Sequence, residues 1–148
     1  MNLEERIQSD LVAAMKAGDA AQRDTLRLAK TAIKNESVAQ TRPLNDTEVE
    51  IVLARMVKQL NQAAEEYRVA GNADRAASEL AEAELIKTYL PSPLSDSELG
   101  ALVDAAISAS GATSPQEMGQ VMTALKPQVG TRADGATLAA LVRSKLTA

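Results

Sequence analysis

Tyr89-Leu90-Pro91-Ser92-Pro93-Leu94 divides this chain. Two prolines one residue apart remove two backbone donors and push the residues before them away from helical geometry, so the segment reads as an extended connector. Upstream of it the apolar pattern describes long helices; downstream it describes short ones. The expected fold is all-α, with a helical N-terminal subdomain of about four helices over residues 1–90 and a small three-helix C-terminal subdomain over 91–148.

Working back from the connector, a helix is expected from Ala73 to about Tyr89, with Ala76, Leu80, Ala83, Ile86 and Leu90 inward and Glu79, Glu82 and Glu84 as surface carboxylates. Gly71-Asn72 closes the helix before it. That helix starts at the capping box Asn45-Asp46-Thr47-Glu48, stapled by Leu44 and Val49, and reaches Ala70. Its Val49, Leu53, Met56, Leu60, Ala63 and Tyr67 alternate at spacings of four and three, the pattern of a narrow seam. Arg42-Pro43-Leu44 separates it from a helix over Ala20–Gln40, capped by Asp19, with Leu26, Ala29 and Ile33 inward and Leu28 and Ala32 beside them. The first helix covers about Asn2 to Ala17, with Leu3, Ile7, Leu11 and Met15 as its stripe and Ala14 beside it, and stops at Gly18.

Downstream, Ser95-Asp96-Ser97-Glu98 is a second capping box, opening a helix that ends before Gly111 with Leu99, Leu102, Val103, Ala106 and Ile107 inward. Ser114-Pro115-Gln116-Glu117 has the composition of a helix start, with Ser at the cap, Pro at the first position and Glu at the third. The helix it opens carries Met118, Val121, Met122 and Leu125 inward and is expected to stop near Pro127. Asp134 is the expected cap of a last helix with Leu138, Leu141, Val142 and Leu146 inward. Met15, Met56, Met118 and Met122 all fall on apolar stripes and read as core.

Composition supports a thin helical interior. Of 148 residues, 28 are alanine, two are tyrosine, and none is phenylalanine or tryptophan. Alanine favours helix strongly but buries little area. The chain lacks histidine and cysteine, which removes the commonest general base, the thiolate nucleophile and the usual transition-metal ligands. No cofactor and no metal are therefore expected. No nucleophile–base pair is apparent, and no Walker loop, Gly-x-Gly-x-x-Gly or His-Glu-x-x-His motif is present. No apolar run has the ~18 residues of a membrane span, and the acidic amphipathic start is unlike a signal peptide. A soluble cytoplasmic protein is the expectation.

Two sets of cations are candidates for binding. Arg23, Arg27, Lys30 and Lys34 follow one another at helical spacing and form a basic stripe, either a solvated face balanced by Asp24 and Glu36 or an RNA-binding surface. In Lys126-Pro127-Gln128-Val129-Gly130-Thr131-Arg132-Ala133-Asp134-Gly135, Lys126 and Arg132 lie beside the start of the last helix, where an anion such as an RNA phosphate is accommodated; the simpler reading is a loop needing backbone freedom and a cap. Arg143 and Lys145 sit in the last helical turns, where cations complement the helix dipole. The overall net charge is −4, and from Pro91 onward four Lys/Arg stand against five Asp/Glu.

The order of motifs resembles the YqeY family, stand-alone relatives of the C-terminal tail of GatB, a component of tRNA amidotransferases. The resemblance rests on Arg27 with Lys30 and Asn35-Glu36, the Val49–Tyr67 helix, Ala70-Gly71-Asn72-Ala73-Asp74, and Glu84 through Tyr89-Leu90-Pro91. It continues through Leu94-Ser95 with Glu98-Leu99, Met118-Gly119-Gln120-Val121-Met122, Pro127 and the Gly130–Gly135 loop. It implies a two-part helical fold without the amidotransferase's catalytic domain, and a non-catalytic protein that binds tRNA or a tRNA-handling enzyme. Two alternatives stand beside that reading: a protein-interaction adaptor without RNA binding, acting through the helical N-terminal half, and, by the same resemblance, an accessory to a glutamine-dependent carbon–nitrogen ligase. Fold kinship carries function only by association.

Overall fold

The computed structural model describes residues 1–147, among which seven α-helices and one 3-10 turn form and no strand is present. They are α1 (Leu3–Ala17), α2 (Ala20–Gln40), α3 (Asp46–Val69), α4 (Ala73–Lys87), α5 (Asp96–Ser110), the turn Pro115–Glu117, α6 (Met118–Val129) and α7 (Gly135–Thr147). The chain forms two compact units, Met1–Leu90 and Pro91–Ala148, each with its own apolar core. The all-helical class expected from composition is the class observed.

In the N-terminal unit, side-chain caps set where helices begin. Asn2 Oδ1 accepts from the Glu5 amide at 2.8 Å, and Glu5 accepts from the Asn2 amide at 3.1 Å. Asn45 and Glu48 exchange the same two bonds, each at 2.9 Å. These reciprocal contacts satisfy donors that a helix start otherwise leaves open. Arg42 then closes on Glu48 at 2.5 Å. The Arg42 guanidinium, followed by the Asn45 amide, pulls the Glu48 carboxyl down to about 2 from its ordinary 4.5. A depressed folded-state value means that this contribution to stability is complete above about pH 4.5 and is lost as pH falls toward 2. Glu48→Gln is expected to reduce the fall in Tm between about pH 5 and about pH 3, measured by circular dichroism; an unchanged acid slope would show that the pair does not contribute.

α2 ends at Thr41, a β-branched residue held left-handed at φ 56°, ψ 30°. That conformation crowds Cβ against the backbone, a cost absent for glycine. Thr41→Gly is expected to stabilise the unit by about 1 kcal/mol in urea unfolding; a loss of stability would mean that the Thr41 hydroxyl, 2.7 Å from the Gln40 carbonyl, outweighs the strain.

The four helices bury Ile7, Leu11, Leu26, Ile33, Leu53 and Ile86 among others, and α3 makes its most extensive contact with α4. Three expectations change here. Met15 is 51% exposed and Ala14 is buried in its place; steps of four residues drift by about 40° each, whereas Ile7 and Ala14, seven apart, keep one face. Leu80 is 49% exposed for the same reason, and α4 turns Ala76, Ala83 and Ile86 inward instead. The seam expected on α3 is a broad face that also buries Val52, Val57 and Ala64, because α3 packs against α1, α2 and α4 rather than one partner.

In the C-terminal unit, α5, α6 and α7 enclose Leu99, Val103, Val121, Leu125, Leu138 and Val142. Ser95 caps α5 by accepting from the Glu98 amide at 3.1 Å, but the capping box is one-sided: the Glu98 carboxylate lies 3.9 Å from Arg132. Ser114 makes no side-chain cap. The Glu117 carboxylate takes the Thr113 amide at 2.5 Å, so the first turn is 3-10 and α6 begins at Met118. Pro127 does not stop α6, which continues to Val129. Proline there removes a single amide donor near the helix end, and burial of Val129 holds the final turn. Met118 and Met122 are half-buried against the core. Asp134 caps α7 from the Thr137 amide at 3.2 Å.

Candidate functional site

The eight candidate cations differ in what already holds them. On α2, Arg23 pairs with its neighbour Asp24 at 2.9 Å. Hydrogen bonding from Arg23 is the main cause that lowers the Asp24 pKa; the charges of Arg23 and Arg27 add to it. Lys30 is half-buried and donates to the Gln8 side chain of α1. Arg27 and Lys34 are exposed and have no ion-pair partner among the described residues. At about 100° per residue, two positions seven apart lie within about 20° of each other, so Arg27 and Lys34 point to one side, two turns apart. Of the two expected balancing carboxylates, Glu36 is turned away: it accepts from Gln40 at 2.8 Å and lies 3.7 Å from Arg55 of α3.

In the C-terminal unit, Arg132 is tied down. Its Nε donates to the Ser92 carbonyl at 2.8 Å, and its own carbonyl accepts from the Leu94 amide at 2.9 Å. With Glu98 nearby, the guanidinium clasps the Pro91–Leu94 segment to the loop after α6. That loop needs Gly130 for its φ 55°, ψ −130° geometry, which residues with a Cβ avoid. Lys145 bridges to Asp104 at 2.6 Å, joining α7 to α5. Lys126 and Arg143 are exposed and have no ion-pair partner among the described residues.

The carboxylates of α4 differ in burial and in partners. Glu84 is exposed and pairs with Lys87 at 2.9 Å. Glu79 and Glu82 are half-buried, not fully on the surface as expected. Desolvation raises the Glu82 pKa and the Glu79 charge adds to the rise, yet no histidine, cysteine or metal-holding cluster stands beside them among the described residues. Sequence reading also missed a groove between α2, α3 and α4, walled by Leu28, Ala32, Val52, Met56 and Leu60. Leu28, 52% exposed, is the large apolar side chain that opens onto it.

A family model described as Yqey-like protein matches residues 4–146, nearly the whole chain. The chain belongs to the YqeY family. No curated protein matches it. In this YqeY-family chain no helix among the described residues is long and apolar enough to cross a membrane.

Proposed function

We propose that this YqeY-family protein is a non-catalytic adaptor that binds tRNA, with the exposed side of α2 as its main contact. The observation that carries this reading is the pair Arg27 and Lys34. They are exposed, aligned and without ion-pair partners among the described residues, with Lys30 and Arg23 on the same stripe. Phosphate backbones are bound by such aligned cations without base reading. Lys126 and Arg143 are secondary contacts on the C-terminal unit. Arg132 and Lys145 are assigned to holding that unit together, since their charged groups already meet Ser92, Glu98 and Asp104. The family's kinship to an amidotransferase tail supports tRNA as the nucleic acid. The lack of histidine and cysteine in the chain supports a binding role over catalysis.

The experiment is filter binding of total tRNA across a salt series. Each phosphate contact removed lowers the slope of log K against log salt by about 1, so Arg27→Ala with Lys34→Ala is expected to lower it by about 2. Arg143→Ala is expected to lower it by no more than about 1. Absence of salt-sensitive binding at micromolar protein overturns the proposal.

A further inference from the structure

We infer that the groove between α2, α3 and α4 is a docking site for a short amphipathic helix of a partner protein, presenting an apolar stripe and one flanking lysine or arginine. This goes beyond the tRNA reading and uses a different part of the surface. On α2, Leu28, Ala32 and Asn35 fall on one flank of the buried line and Arg27 and Lys34 on the other, separated by roughly 100° of helix rotation. An occupant of the groove therefore need not touch the cations.

The cavity is about 580 Å³, and its walls repeat as helices do. Leu28 and Ala32 are one turn apart on α2; Val52, Met56 and Leu60 are successive turns of α3. Val52 to Leu60 spans about 12 Å at 1.5 Å per residue, so the groove admits two to three turns of helix. Recognition of that kind reads apolar residues at positions i, i+4 and i+7. Leu28 is already half-exposed and stands ready on the wall.

The charges select the occupant further. At one end Glu36 is answered by Arg55 and Gln40. Glu79, half-buried on α4, lines the groove and has no ion-pair partner among the described residues. The α3–α4 hairpin turns at Gly71–Asn72, which brings Glu79 level with Leu60 to within about 5 Å along the axis and sets it about 12 Å from the level of Arg55. One end is thus internally neutralised and the other carries an unanswered carboxylate. A lysine or arginine on the incoming helix supplies the missing charge, and an acidic helix is repelled.

The test is selection of a displayed library of two- to three-turn helical peptides on the full chain, followed by fluorescence anisotropy with the enriched peptides. The expected consensus has Leu or Met at i, i+4 and i+7 and a flanking Lys or Arg. Leu28→Gln, at a half-exposed position that folding tolerates, is expected to weaken binding about tenfold. Glu79→Gln is expected to weaken basic peptides about three- to fivefold and to leave their norleucine-substituted versions unchanged. Arg27→Ala with Lys34→Ala is expected to leave peptide affinity unchanged, which separates this result from the tRNA experiment. No enrichment, an acidic consensus, peptides that bind Leu28→Gln and Glu79→Gln undiminished, or displacement of peptide by tRNA would each overturn the inference.

Discussion

Leu53→Ala should cost about 2–5 kcal/mol, the range for emptying a fully buried leucine site in a packed core. Leu53 is 0% exposed and sits in the N-terminal half of α3, packed in the core shared by α1, α2, α3 and α4. Its core neighbours include Ile7, Leu11, Leu26, Ile33 and Met56, and the loss within that range depends on how far they move into the space. Tyrosine gives a selective readout. Both tyrosines, Tyr67 and Tyr89, lie in the N-terminal unit and the chain has no tryptophan. Tyrosine emission therefore reports that unit, and far-ultraviolet circular dichroism reports all helices. Leu53→Ala should lower the urea midpoint of the tyrosine transition. Leu125→Ala, equally buried in the other core, should lower a circular-dichroism transition and leave the tyrosine midpoint in place. Coincident shifts in both signals would show a single cooperative unit instead.

Tyr89→Ala is expected to be comparably damaging, at about 3 kcal/mol or more by the precedent of aromatic truncations. Tyr89 is 5% exposed, and its hydroxyl donates to Asp10 at 2.5 Å across a sequence separation of 79 residues. Arg6 covers the ring at 4.6 Å from its centroid and donates to the Thr88 carbonyl at 3.4 Å. The end of the unit is thus fastened to its beginning. Tyr89→Phe keeps the ring and removes the bond, with an expected loss of about 1–2 kcal/mol. The pH dependence separates the two contributions. Burial and then the Asp10 contact push the Tyr89 phenol above its ordinary 10.0. A raised folded-state value means that the contribution is complete below about pH 10 and is lost as pH rises beyond it. The phenylalanine variant should lose stability less steeply between about pH 9.5 and pH 11 than the unsubstituted chain; parallel curves would assign the alkaline sensitivity elsewhere.

What was legible in the sequence is what short spacings encode. Asn45 and Glu48 sit three residues apart and cap α3 as their types require. The inward sets of α2 and α7 follow from their periods. Patterns failed where a partner far along the chain decided the outcome. Glu98 is three residues from Ser95, but its carboxylate does not return a bond to the Ser95 amide and lies 3.9 Å from Arg132, 34 positions further on. Ser114 has a capping composition, and Glu117 gave its carboxylate to Thr113. The candidate cations show the same division: their helical alignment on α2 was readable, but their availability was not. Lys30 meets Gln8, Lys145 meets Asp104 and Arg132 meets Ser92, each through folding rather than spacing. The groove was invisible for a stronger reason, since its walls come from three helices and none of them is unusual alone.

The inner face of α4 sets Ala76 and Ala83 beside Ile86, with Ala64 buried on α3. These methyl groups act as spacers of minimum thickness, and α4 carries Glu79 at the groove's edge. Ala83 is 0% exposed and does not line the groove, so an added methylene or two there would act as a shim under α4 only at a cost of about 1–3 kcal/mol in overpacking. The seating of α4, and with it the position of Glu79, is held by side chains that lie beneath the groove and outside its lining.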